Sequence, residues 1–206
     1  GKVGRTKETS IPQYKNSIHS FSSTESMTLV FHGSNFHYRE GAFFSNFKIG
    51  LKKDAFWAFN FDRYRDLLVA GILLIMSLYH LELYRQRRED KSTLFFGLVC
   101  SFAFLRQIGN GLYLFWLFVE PSTFIFELSA KIDFLTLIFT FPLFLNFLYH
   151  FFPKSFNDKI LKLFYFPSFL FTPVILFFPS SIYSQAYFLS FFQGIILIAF
   201  FYIYFK

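Results

Sequence analysis

Apolar runs separated by short charged segments fill the chain from about residue 66 onward. A helix that crosses a hydrocarbon layer of about 30 Å needs roughly 20 mostly apolar residues. Segments without Asp, Glu, Lys or Arg that reach or approach this length lie at residues 67–81, 92–105, 134–153 and 163–205. The last segment has 43 residues. It would measure about 65 Å as one helix, which is enough for two crossings.

This long segment is interrupted where Pro179 is followed by Ser180 and Ser181. Proline disfavours helix in the residue before it, and serine is common in turns. The chain is therefore predicted to form an α-helical transmembrane bundle of five helices, at about residues 66–85, 92–112, 127–150, 161–178 and 184–205.

Basic residues are concentrated in alternate loops between these predicted helices. The loop after the first helix carries Arg85, Arg87, Arg88 and Lys91, residues 153–162 carry three Lys, and Lys206 follows the fifth helix. The loops at about 113–126 and 179–183 carry no basic residue. Basic residues in short loops favour the cytoplasmic side, so we expect residues 1–65 to be extracytoplasmic. Contact of the first basic loop with an output domain or with anionic lipid is a further possibility.

The first 65 residues follow a different pattern. Residues 27–32 alternate loosely, with Met27, Leu29 and Phe31 on one face, and an aromatic run at 42–50 is bounded by Gly41 and Gly50. Both patterns are typical of β-strands. Three or four strands bury too little surface to be stable alone. We therefore expect residues 1–62 to form part of an all-β extracytoplasmic domain, and residues 63–206 to form the membrane domain.

The composition agrees with a membrane protein. Hydrophobic residues make up 54% of the chain and charged residues only 16%, compared with about 25% charged in soluble domains. Half of the basic residues lie beside apolar runs, so a bilayer explains the net charge of +7 better than a nucleic acid does. The chain starts at Gly1 and ends inside an apolar run, and we expect it to be a fragment of a longer protein.

Three segments of the chain resemble parts of one known family. They are Ser34 to Phe43 together with Gly4-Arg5 and Glu8, residues 65–81, and residues 91–100 with Leu105-Arg106. In this order they are similar to the second half of the jelly-roll ectodomain, the first membrane helix and the second membrane helix of bacterial seven-transmembrane receptors with diverse intracellular signalling modules.

The resemblance implies a periplasmic jelly roll for which carbohydrate is one candidate ligand, a seven-helix bundle, and a bacterial inner membrane location. It also implies a cytoplasmic output module such as a nucleotide cyclase, a phosphatase or a histidine kinase. The first jelly-roll strands, two helices and the output module have no counterpart in these 206 residues.

Candidate chemistry is sparse. The sequence shows no nucleophile next to a base, no glycine-rich phosphate loop and no pair of carboxylates at a helical spacing. We therefore expect no enzymatic activity and no cofactor. The histidines lack the spacing of metal ligands; no metal site is expected, and His37 is interpreted as structural in a turn. Phe43, Phe44 and Trp57 are candidates for an aromatic platform against a sugar ring, with core packing as the alternative.

One charged pair is predicted inside the membrane layer. Arg106 lies 15 residues after Lys91 and Asp133 lies 17 residues before His150, which places both at about 22–26 Å above the basic loops. An arginine at that depth needs a partner or water. With Glu127 expected to contact Lys131 four residues on, Arg106 and Asp133 are predicted to pair between the second and third helices. The alternative is that Arg106 extends to the headgroups and Asp133 is hydrated.

Two classes of function fit a membrane bundle. A transporter or membrane-embedded enzyme would carry ionisable groups deep in the bilayer, and the predicted helices carry almost none. This favours a sensor that couples an extracytoplasmic ligand, a small molecule or carbohydrate, to a cytoplasmic module absent from this chain. A non-functional remnant is the third interpretation. The expected partners are the lipid bilayer, this ligand and the output module, and no nucleic acid is expected.

Overall fold

The computed structural model describes residues 49–111, 122–153 and 158–204, and, nearer the N-terminus, residues 6–7, 10, 18–22, 26, 28–30 and 35–38. These residues contain six helices: α1 (Lys52–Gln86), α2 (Lys91–Gly111), α3 (Thr123–Phe151), α4 (Asp158–Phe177), the single turn α5 (Ser180–Tyr183) and α6 (Ala186–Tyr204). The described part is therefore helical.

Three of these helices are long and apolar enough to cross a membrane, as far as the described residues go. They cover Lys52–Gln86, Lys91–Gly109 and Thr123–Phe151, and a shorter apolar helical segment covers Phe164–Phe177. The chain is thus a helical membrane protein, as the apolar runs predicted.

Helix α1 begins 14 residues earlier than the predicted start at about 66. Its N-terminal part holds local charge contacts: Arg65 lies 3.3 Å from Asp62 and 3.2 Å from Asp66, and the Arg63 guanidinium lies over the Phe59 ring. The prediction counted only uncharged residues and so missed this charged extension. With 35 residues, α1 measures about 52 Å and exceeds the hydrocarbon thickness.

The predicted β-strands lie mostly outside the described residues. Residues 28–30 and 49–50 are described and are not in a strand. The remaining positions of both predicted strands, including Phe43 and Phe44, fall outside the described part. A jelly roll accordingly stays a prediction.

Helix α2 packs between α1 and α3 through small residues. A Cβ on Gly97 would lie 3.0 Å from Leu81 of α1, and one on Gly109 would lie 3.3 Å from Ile132 of α3. The Ser129 hydroxyl of α3 donates to the Gly109 carbonyl at 2.6 Å. Small residues and such hydrogen bonds let membrane helices approach closely.

The helices run antiparallel, so the structure has two ends. At one end, which we name the basic end, α1 stops beside Arg85, Arg87 and Arg88 and α2 starts at Lys91. His150, near the end of α3, stacks there on Phe95 of α2 at 5.1 Å between ring centroids. The opposite end, where α3 begins and α4 gives way to α5, we name the distal end.

The main hydrophobic core lies on the distal side of the bundle. Phe134 and Ile138 of α3 pack with Ile175 of α4 and Tyr183 of α5, and all four are buried. Ala130 of α3, with Phe188 and Phe192 of α6, completes the cluster. Helix α3 is therefore the central element, because it contacts α2 on one side and this core on the other.

Candidate functional site

The distal end contains a polar cluster built where proline interrupts the helix. Pro179 stands between α4 and α5, and α5 begins at Ser180. In an unbroken helix the Ser180 N–H would donate to the Leu176 carbonyl four residues earlier. The break leaves this donor and this acceptor to find other partners.

Two side chains of α3, one helical turn apart, take up the two halves of the broken bond. Glu127 accepts the Ser180 N–H at 2.9 Å through Oε2 and at 3.2 Å through Oε1. Lys131 donates from Nζ to the Leu176 carbonyl at 2.8 Å. A carboxylate at a helix start and a cation at a helix end also suit the helix dipoles. The expected Glu127–Lys131 contact is thus replaced by this clamp on the α4–α5 connection.

The N-terminal segment joins the clamp through the same serine. The Ser180 Oγ lies 2.7 Å from the His37 carbonyl oxygen and 2.7 Å from Oε1 of Glu127. A hydroxyl has one proton, so Ser180 donates to one of these acceptors at a time. The His37 ring places Nε2 3.1 Å from the Ser10 Oγ, and both residues are buried.

Aromatic contacts hold the N-terminal segment against α3. Phe126 makes edge-to-face contacts with His37 at 6.3 Å and with Tyr38 at 6.0 Å. Tyr38 also contacts Phe134 at 6.5 Å. Phe134 in turn packs against Tyr183 at 5.0 Å, and Tyr38 itself packs against the core cluster.

The cluster also contains one buried polar atom without a hydrogen-bond partner among the described residues, Nδ1 of the His37 ring. The buried Tyr183 hydroxyl lies beside the Glu127 carboxylate. A buried polar group that stays unsatisfied costs about 1–3 kcal/mol.

Arg106 and Asp133, the predicted intramembrane pair, lie together between α2 and α3. The Arg106 Nε is 3.2 Å from Oδ1 of Asp133, and the side chains are 37% and 18% exposed. Whether this contact fixes the packing of the two helices stays a prediction.

The other predicted site residues are dispersed. Trp57 lies on α1 and is 64% exposed, whereas Phe43 and Phe44 lie outside the described residues. Arg85 is held by Glu82 through two hydrogen bonds of 2.7 Å, and the other basic residues of that loop are exposed. Within the described ranges no cluster of three or more His, Cys, Asp or Glu could hold a metal ion.

Sequence reasoning missed the clamp and its link to the N-terminal segment. The signal available was a proline break in an apolar run together with an acidic and a basic residue four positions apart on another helix. Their partner could not be identified, because a local contact between Glu127 and Lys131 fits the same spacing equally well. The sequence predicts a turn at His37, and no local feature indicates that His37 is buried against α3.

Comparisons with known proteins bear on the helical part. A family model described as 7TM diverse intracellular signalling matches residues 62–206, which is 145 of the 206 residues. The searches of curated proteins and of solved structures gave no match. The family match confirms the resemblance of the membrane helices, and the segments that resemble the jelly roll lie outside the matched residues. The chain belongs to the 7TM diverse intracellular signalling family of membrane receptors.

Proposed function

We propose that this chain is the membrane part of a sensor in which a ligand-binding domain acts on the distal end and a cytoplasmic module responds at the basic end. The observation that carries the proposal is the packing of His37 and Tyr38 against α3 and α5. It gives the N-terminal segment direct contact with the helices at the end opposite the basic loops.

The proposed orientation places the distal end outside the cytoplasm and the basic end inside, in a bacterial inner membrane. Its support is the distribution of basic residues, with Arg85, Arg87, Arg88 and Lys91 at one end and the positive-inside tendency. In this arrangement the charged N-terminal part of α1 extends beyond the apolar layer on the ligand side. Helices α4 and α6 are proposed as the fourth and fifth crossings.

The clamp gives a physical route for the first step. Glu127 and Lys131 attach the α4–α5 connection to α3, and Ser180 can donate either to Glu127 or to the His37 carbonyl. A ligand that shifts residues 35–38 would favour one of these two acceptors. A ligand changes a conformational equilibrium only through different affinities for the two states, and the alternative acceptors define two such states.

The ligand and the output are the parts of the proposal that rest on the family resemblance. A jelly-roll domain that includes residues before α1, which starts at Lys52 rather than at the predicted boundary of 62, would bind a small molecule or a carbohydrate. The output module would belong to the longer parent protein. Exposed Trp57 lies on the extended part of α1, where a ligand-side domain could contact it.

The test measures whether a change at the distal end is felt at the basic end. The 206-residue chain, with its single cysteine Cys100 replaced by Ala, carries an environment-sensitive fluorophore at Glu89→Cys in nanodiscs. Ser180→Ala removes the shared hydroxyl at the distal end. We expect the emission wavelength of the label at the basic end to shift, although the two ends are separated by the roughly 43 Å length of α3. Ser181→Ala is the matched control, since it removes the neighbouring hydroxyl, and it should leave the emission unchanged.

An unchanged emission in Ser180→Ala, with helical content equal to that of the parent protein, would contradict the coupling. An equal shift in Ser180→Ala and Ser181→Ala would contradict it as well, because the response would then not depend on the clamp.

A further inference from the structure

A second interruption of the helices lies in the middle of α3, at Pro142. This residue is fully buried inside the helix. Proline has no N–H, and its ring clashes with the carbonyl four residues earlier. The Ile138 carbonyl therefore lacks its normal helical donor, and α3 is free to bend at this level.

The missing donor comes from the neighbouring helix. Ser168 of α4 is fully buried, and its Oγ donates to the Ile138 carbonyl at 2.6 Å. Ser168 follows Pro167, which is itself inside α4. Both helices thus have an interrupted backbone hydrogen-bond ladder at the same level, and one hydroxyl joins them there.

A second contact between the helices lies one turn closer to the basic end. The Asn146 side chain donates from Nδ2 to the Pro142 carbonyl at 2.9 Å and to the Tyr165 hydroxyl of α4. Polar contacts from α4 therefore lie on both sides of the proline. We name Ser168, Asn146 and Tyr165 the α3 latch.

We propose that Pro142 is a hinge in α3 and that the latch holds it in one bend angle. The inference rests on the proposed function, since it assigns the path by which a displacement at the distal clamp reaches the basic end. The distal half of α3 carries the clamp residues, and the half beyond Pro142 carries His150, which stacks on Phe95 of α2. Bending at Pro142 moves the second half against α2 while the first half stays in the core.

The latch is weak enough to open. Interhelical hydrogen bonds in membranes typically change the ratio of folded to unfolded protein by only about 3-fold to 20-fold. A 20° change in bend would move residue 151 by about 5 Å, since it lies nine residues, or about 13 Å, beyond the proline. A movement of this size is measurable.

The latch is tested by a double-mutant cycle on the unfolding of the 206-residue chain in detergent. Ser168→Ala alone should lower the folded-to-unfolded ratio by about 3-fold to 20-fold, because the Ile138 carbonyl loses its donor. Pro142→Ala restores a backbone N–H to that carbonyl. In this background Ser168→Ala should change the ratio by less than about 2-fold. Equal losses in both backgrounds would overturn the latch.

The hinge is tested by the distance between spin labels at Phe151→Cys and Gln86→Cys, in the Cys100→Ala protein in nanodiscs. Ser168→Ala should broaden the distance distribution and Pro142→Ala should narrow it. Thr172→Ala is the control for Ser168→Ala, because the Thr172 hydroxyl donates only within its own helix, to the Ser168 carbonyl at 2.7 Å.

Identical distributions in all proteins would overturn the hinge. If Pro142→Ala does not fold, the comparison of Ser168→Ala with Thr172→Ala decides, and equal widths in that pair reject the proposal. The result is independent of the fluorescence test of the distal clamp: a label response to Ser180→Ala together with unchanged distances rejects the hinge alone. Changed distances together with no label response to Ser180→Ala would reject the coupling at the clamp. In that case Pro142 would still be a hinge, but the clamp would not act on it.

Discussion

Three glycines in the membrane helices provide a graded test of the packing between α1, α2 and α3. The perturbation is Gly→Ala, which adds one methyl group to each helix. A Cβ on Gly97 would meet the side chain of Leu81 at 3.0 Å and its backbone nitrogen at 3.2 Å. A Cβ on Gly109 would meet the Ile132 side chain at 3.3 Å, and one on Gly71 has no atom within 4 Å.

The magnitudes follow from these distances. Ala is favoured over Gly inside a helix by about 1 kcal/mol in water, and this gain is common to all three sites. Carbon atoms pack best at about 3.5–4.0 Å, so at Gly97 the Leu81 backbone, and with it α1, must move. Overpacking of this kind costs about 1–3 kcal/mol. At Gly109 a side-chain methyl can give way by a few tenths of an ångström.

We therefore expect Gly71→Ala to have a free energy of unfolding equal to or above that of the parent protein. Gly97→Ala should have a free energy of unfolding about 1–3 kcal/mol below that of Gly71→Ala, and Gly109→Ala should lie between the two variants. Reversible unfolding in mixed detergent, followed by circular dichroism, measures all three variants against the parent protein. Gly97→Ala unfolding at the same point as Gly71→Ala would show that α1 does not pack closely on α2 at this position, and the reasoning would fail.

Three further predictions concern charges. Arg106→Leu and Asp133→Leu should each lower the free energy of unfolding by a few kcal/mol, because each leaves one charge uncompensated. The double variant should be no less stable than either single variant. Additive losses of free energy of unfolding would contradict a pair. In a cysteine-free background, an impermeant maleimide should label Thr123→Cys but not Glu89→Cys in intact cells, and the reverse pattern would invert the topology. Asp90 caps α2. Hydrogen bonds from the side-chain hydroxyls and backbone N–H groups of Ser92 and Thr93 lower the pKa of its carboxyl group. The cap therefore stabilises the fold fully when the pH is above the pKa that Asp90 has in the unfolded chain. This stabilisation is lost as the pH falls through the lower pKa that Asp90 has in the folded protein. Asp90→Ala should cost about 1 kcal/mol at neutral pH and reduce the acid sensitivity of unfolding, and an unchanged acid profile would argue against the cap.

The helix boundaries were predictable where local chemistry marks them. The second helix was predicted at about 92–112, close to α2 at Lys91–Gly111. Its start could be recognised because charged residues precede a run of uncharged ones there. The predicted third helix at about 127–150 begins four residues late, since Ser122 caps α3 by accepting the Ile125 N–H at 3.2 Å. The start of α1 was missed, because a charged helical extension cannot be recognised by apolar length.

Partners across the bundle were the part that the sequence could not supply. The depths of Arg106 and Asp133 could be compared by counting residues along two helices, because the helical rise is constant. The partners of Glu127 and Lys131 could not be deduced in this way. They depend on the position of α4 and α5, which no local pattern encodes.

The sequence by itself determined that the chain crosses a membrane, which residues form its apolar helices and which family it resembles, because these follow from composition, local periodicity and motif order. It also marked where helical hydrogen-bond partners are lost, since proline at 142 has no N–H for the Ile138 carbonyl and proline at 179 disfavours helix in the residue before it. Only the tertiary structure decided what replaces those partners. Ser168 reaches the Ile138 carbonyl and Glu127 reaches the Ser180 N–H from positions 30 and 53 residues away. A hydrogen bond needs its two atoms within about 3 Å, and helix packing alone brings such distant residues that close.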